Sequence, residues 1–218
     1  MPASSLAALV AANLLPLAGV AFWGWQVGDV VMLYWAENLV VGAFNVLRMA
    51  IAKGEGGEPV PGRYQSSRLG ELGGRVFIIG FFIVHYGMFC YVHGSFLAHL
   101  FPPTGIAPDQ EPFVVLRAMM RDGYALAALA AIVASHGFSF AANYLGRGEY
   151  RGAGIDRLMM SPYKRIVFTH VFILAGAFLL LAIGSPLVAM LLFVALKIGF
   201  DARAHVTEHR APASPVTA

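Results

Sequence analysis

The chain has 218 residues, 58% of them hydrophobic and 12% charged, with a formal net charge of +3. A soluble domain carries roughly 25% charged residues, so an ordinary water-facing surface is excluded and lipid is the implied solvent. The small positive charge reads as basic loops at a membrane surface and not as a nucleic-acid footprint. The one cysteine, Cys90, lies inside an apolar run and allows no intrachain disulfide.

A membrane helix needs about 20 mostly apolar residues. In chain order six segments qualify: about Leu6–Trp25, Val30–Ile51, Arg75–Leu97, Tyr124–Tyr144, Ile166–Ile183 and Leu187–Asp201. The first differs from a signal peptide. Nothing before Leu6 is basic, and Phe22-Trp23-Gly24-Trp25 forms an aromatic belt instead of a cleavage site. Between the third and fourth spans, Asp109 followed by Glu111-Pro112 is a helix start. Phe113, Val114, Leu116, Met119 and Met120 then give an apolar side, so a short interfacial helix is expected over about 110–121. The last span is expected to continue as helix to about His209. The expected fold is all-α: a polytopic membrane bundle of six transmembrane helices plus the interfacial helix. It forms one domain over residues 1–210, and 211–218 make a disordered tail.

The connecting segments alternate in charge. The turns near Gln26–Asp29 and Gly184–Pro186 carry no Lys or Arg. Lys53, Arg63 and Arg68 follow the second span, and Arg147, Arg151, Arg157, Lys164 and Arg165 follow the fourth. Basic loops mark the cytoplasmic side, which places both termini inside. Arg117 and Arg121 stand against this pattern, on the outer interfacial helix, where they meet headgroups, a substrate or solvent.

Charged groups at mid-bilayer are costly and face the bundle interior. At ~1.5 Å of rise per residue, His85, His136, His170 and Asp201 all fall roughly 15–21 Å from the outer end of their spans. Glu37 falls roughly 10–13 Å in, and His205 lies one turn below Asp201. At ~100° per residue, Glu37 shares a face with Tyr34, Val41, Phe44 and Arg48. His136 shares one with Phe140 and Asn143, and His85 one with Met88, Val92 and His99. Three imidazoles and a carboxylate suit zinc, and also iron or manganese. Glu37 is then a candidate base holding a metal-bound water, with Asn38 or Asn143 as supporting donors. Structural alternatives stand beside this. A buried histidine is often satisfied by a carbonyl, and Asp201 has Lys197 four residues before it. His93, off the His85 face, is expected at the interface.

The stretches YWAENLVVGAFNVLR, FFIVHYGMF, SHGFSFAANYLGRGEYR and SPYKRIVFTHVFIL together resemble an uncharacterised family of bacterial integral membrane proteins, catalogued as a domain of unknown function. The resemblance runs from Tyr34 to His209. It implies a six-helix inner-membrane bundle and no assigned activity. A more distant similarity of plan is to the membrane-embedded zinc hydrolases that include alkaline ceramidases and adiponectin-type receptors. It rests on His205-x-x-x-His209 and on Ser135 or Ser139 beside His136. The chain departs from that plan in span number and in the position of His209.

These features lead to an inner-membrane metalloprotein binding zinc or iron through His85, His136, His170, Asp201 and His205, with Glu37 as base. Its partners would be membrane lipids and an amphiphilic substrate hydrolysed by metal-bound water. Two alternatives use the same residues: a proton-coupled transporter with a Glu/His/Asp relay, and a haem b protein with two axial histidines. A fourth is a structural subunit whose polar groups hold helices together.

Overall fold

The structure, a computed structural model, describes residues 24–54 and 68–163, together with residues 22, 166, 167 and 171. The chain divides into two compact units, Met1–Val27 with Leu174–Ala218, and Gly28–Ile173. Only residues 22 and 24–27 of the first unit are described, so the fold below is that of the second.

Helix α1 spans Val27–Ile51 and runs through a nearly unbroken apolar stretch. Asp29 in its first turn and Arg48 in its last complement the helix dipole. Arg75 closes its far end: Nη1 donates to the carbonyls of Met49 and Ala50 at 3.0 and 3.2 Å. Helix α2 spans Arg68–Leu100, beginning about two turns before the Arg75 expected from hydropathy. At 33 residues it is roughly 50 Å long, well beyond the ~30 Å hydrocarbon layer. Its extra turns, with Glu71, are the polar extension a hydropathy count leaves out.

The short helix α3 covers Pro112–Met119, inside the expected 110–121. It packs against α2, but through a different side from the one expected. Pro112, Val115 and Met119 are buried, while Phe113 and Val114 are half exposed. Phe113 keeps ring contacts with Trp35 and Tyr91, at 5.6 and 6.3 Å. Helix α4 spans Gly123–Ser139 and is capped by Asp122, whose carboxylate accepts from the amides of Tyr124 and Ala125. It runs on as a π-helix, Phe140–Gly146. Gly148, at φ 74°, turns the chain out of it into a 3-10 turn, Glu149–Arg151. Residues 155–163 are again helical.

Among the described residues, three helical segments are long and apolar enough to cross a membrane: Val27–Ile51, Gly70–Leu100 and Gly123–Gly146. They correspond to the second, third and fourth expected spans. The first, fifth and sixth fall almost wholly outside the described residues, as does the 211–218 tail, so six spans are not supported by what is described. Among the described residues there is no strand; one isolated parallel bridge joins Gly54 to Gly154.

α1 and α2 pack antiparallel. Trp35 Nε1 donates to the Cys90 carbonyl at 2.7 Å, and the Tyr86 hydroxyl to the Asn38 carbonyl at 3.0 Å. Small residues permit this approach: a Cβ on Gly42 would stand 2.6 Å from Tyr86 Cε1, and one on Gly94 2.5 Å from Trp35 Cε2. Met49, Phe82, Tyr86, Cys90 and Ile166 form the buried core, joined by Leu158, Met159 and Tyr163. Outward, α2 exposes Phe77, Phe81, Val84, Met88 and Phe96, and α4 exposes Leu126, Val133 and Phe138. Apolar side chains of this size on the outside are what a hydrocarbon solvent requires.

Candidate functional site

Glu37, Phe44 and Arg48 recur on one face of α1, at helical spacings of seven and four. His136, Phe140 and Tyr144 recur every four residues on α4 and its π extension. The two faces meet with their chains running in parallel. Glu37 Oε1 lies 3.6 Å from His136 Nε2. The His136 ring stacks on Phe44 at 6.3 Å between centroids, and Phe44 meets Phe140 at 5.8 Å. One step on, the Tyr144 hydroxyl donates to the Arg48 carbonyl at 2.7 Å, and the Arg48 guanidinium sits over the Tyr144 ring.

The Glu37–His136 distance is too long for a strong hydrogen bond. It is an ion-pair distance, with charge on the imidazole only when that ring is protonated. The two side chains are 20% and 30% exposed, so neither is sealed in the core. Both stand roughly 15–20 Å into their spans at 1.5 Å per residue. Glu37 is therefore deeper than expected from sequence, because α1 starts at Val27 and not at Val30.

The π-helix changes which residues share the site. α-Helical spacing puts Asn143 on the His136 face; the wider π turn brings Tyr144 there. Asn143 Nδ2 instead donates back to Ser139 Oγ at 3.3 Å. Asn38 is buried on α1, its carbonyl taken by Tyr86.

His85 is placed elsewhere. Its Nδ1 is 2.7 Å from the Tyr163 hydroxyl, and its ring lies against Phe81 and Phe89 at 5.0 and 5.1 Å. Tyr163 had no special standing in the sequence; only its register on the segment starting near 155 brings it to His85. His93, expected near the outer interface, is buried, at 5% exposure, beside Phe89. His99 Nδ1 lies 3.2 Å from the Pro108 carbonyl. Asp29, read from sequence as part of a turn, is buried. It accepts from the amide and hydroxyl of Thr104 at 3.1 and 2.6 Å, pinning the loop after α2 to the start of α1.

Among the described residues no three His, Cys, Asp or Glu side chains converge as a metal site would need. His170, Asp201 and His205 lie outside the described residues. The two described members of the expected ligand set, His85 and His136, take separate partners, Tyr163 and Glu37.

The pattern of one family covers residues 1–218 in full. The chain belongs to DUF6498, a family of unknown function. No curated protein and no solved structure matches it. DUF6498 membership agrees with the resemblance carried by the Tyr34–His209 stretches. The likeness of plan to membrane zinc hydrolases has no counterpart in these comparisons.

Proposed function

We propose that this DUF6498 chain is a multi-pass protein of the bacterial inner membrane in which Glu37 and His136 exchange protons as part of proton-coupled transport. One observation carries this: a carboxylate and an imidazole pair at 3.6 Å, deep in two largely apolar spans. Ionisable groups at such depth are expensive and mark proton or ion paths. An imidazole changes charge near physiological pH, and a carboxylate beside it can accept or return that proton. Lys53, Arg147, Arg151 and Arg157 gather after the far ends of α1 and the π-helix, which supports a cytoplasmic side for that end.

The test is proton entry into liposomes. The reconstituted chain carries an internal pH dye, and an imposed potential drives uptake. Wild type acidifies the lumen; Glu37→Gln and His136→Gln each lose the uptake while staying folded. Uptake equal in wild type and both variants, or absent in all three, rejects proton coupling.

A divalent metal ion ligated by His136 is the second proposal, and it has a specific support. Metal-bound imidazoles commonly give their other nitrogen to a carboxylate. Glu37 stands at Nε2, which leaves Nδ1 as the ring nitrogen on which a metal would sit. The described residues do not complete a ligand set, so no chemical step is drawn through the ion. Elemental analysis of protein purified without chelator decides: stoichiometric zinc or iron lost in His136→Ala supports it, and metal-free wild type ends it.

A further inference from the structure

Where α1 ends, cations gather around two tyrosines. The Arg48 guanidinium lies over Tyr144 at 5.6 Å, and Tyr144 meets Tyr150 ring to ring at 6.4 Å. Lys53 Nζ and the Arg151 guanidinium both sit over Tyr150, at 5.5 and 5.6 Å from its centroid. They are thus within roughly one Debye length (~10 Å) of each other. Among the described residues no carboxylate forms an ion pair with Arg48, Lys53, Arg75 or Arg151. Arg48 Nε is buried with no hydrogen-bond partner among them.

The backbone fixes this arrangement. The Lys53 amide donates to the Tyr150 carbonyl at 2.7 Å, and the Gly54 amide to the Ala153 carbonyl at 3.1 Å. Gly54 lies so close to Gly152 and Ala153 that a Cβ there would stand 2.6 Å from the nearest carbonyl carbon. Two loops far apart in sequence are thus clamped together, and each contributes one cation over one ring. The last carbonyls of α1 would repel an anion, but Arg75 covers two of them. Like charges held close together are costly, and a shared anion removes that cost.

We infer that Arg48, Lys53 and Arg151, organised by Tyr144 and Tyr150, form a binding site for a phosphate group. The group is either the headgroup phosphate of an anionic lipid or free phosphate. The site does not depend on proton exchange at Glu37 and His136. It stands at the end of two spans, the level at which headgroups lie, and guanidinium and ammonium groups recognise phosphate oxygens well.

The full chain is placed in phosphatidylcholine nanodiscs doped with phosphatidic acid, and retained lipid is identified by native mass spectrometry. A second arm titrates inorganic phosphate onto the chain in plain phosphatidylcholine discs by calorimetry. Wild type retains phosphatidic acid above its share of the disc, or binds phosphate. The first result alone identifies a lipid headgroup, and the second identifies free phosphate. The Lys53→Gln/Arg151→Gln variant binds roughly thirtyfold more weakly, as expected for losing two basic groups. Arg117→Gln on α3 binds as wild type does, and Lys53→Arg/Arg151→Lys retains binding. Wild type showing neither enrichment nor phosphate binding overturns the site, and so does an equal loss in Arg117→Gln.

Discussion

His136 Nε2 stands 3.6 Å from Glu37 Oε1, where α4 and α1 run side by side in the same direction. The interaction has its full Coulomb term only when the imidazole is protonated. A double-mutant cycle with Glu37→Gln and His136→Gln isolates the coupling between the two side chains. For a partly exposed pair it is about 1 kcal/mol or less. Thermal unfolding in detergent measures it. Additive single-variant shifts, with no coupling, would mean that the two groups do not interact.

The approach of α1 to α2 depends on two glycines. A methyl at Gly42 would press on the Tyr86 ring, whose hydroxyl is tied to the Asn38 carbonyl, and the ring cannot retreat without breaking that bond. Gly42→Ala is expected to cost roughly 1–3 kcal/mol, the usual range for overpacking. Gly80→Ala on α2, where nothing lies within 4 Å, is expected to be neutral or slightly stabilising. Paired melting curves test this, and equal shifts for the two variants would contradict tight packing at Gly42.

Arg75 is expected to hold the end of α1. Arg75→Ala leaves the Met49 and Ala50 carbonyls without their donor, at a cost of about 1–2 kcal/mol. Hydrogen exchange should quicken at the Ala52 amide, which bonds to the Arg48 carbonyl in the same turn. Exchange unchanged there would show that the clamp between Lys53 and Tyr150 suffices by itself.

Much of this architecture was legible because lipid imposes simple rules. Runs of apolar residues located α1 and α4 to within a few residues and α2 without its first two turns, and helical periodicity correctly grouped Glu37 with Phe44 and Arg48. The same periodicity grouped His136 with Phe140. What it missed depends on departures from α geometry and on partners distant in sequence. Tyr144 reaches the site only because the helix widens into a π turn after Ser139. His85 pairs with a tyrosine 78 positions away, and hydropathy says nothing of that. Depth grouped His85 with His136, but depth does not fix direction around a helix axis. The two histidines take different neighbours for that reason.

Tyr150 offers a test by pH. The hydrogen bond from Arg151 Nε, together with the charges of Arg151 and Lys53, holds its hydroxyl below the ordinary tyrosine value. A depressed value in the folded state means that folding favours the tyrosinate. The associated stability is fully present above the unfolded value and is lost as pH falls through the folded one. Tyrosinate absorbance should therefore appear at lower pH in wild type than in Arg151→Gln, and Tyr150→Phe should remove the earliest-ionising step. Lys53→Gln should move it in the same direction as Arg151→Gln but by less, since Lys53 contributes charge without a hydrogen bond. An onset that does not change in Arg151→Gln, or that moves to lower pH, would show that the guanidinium is not engaged with the hydroxyl in solution.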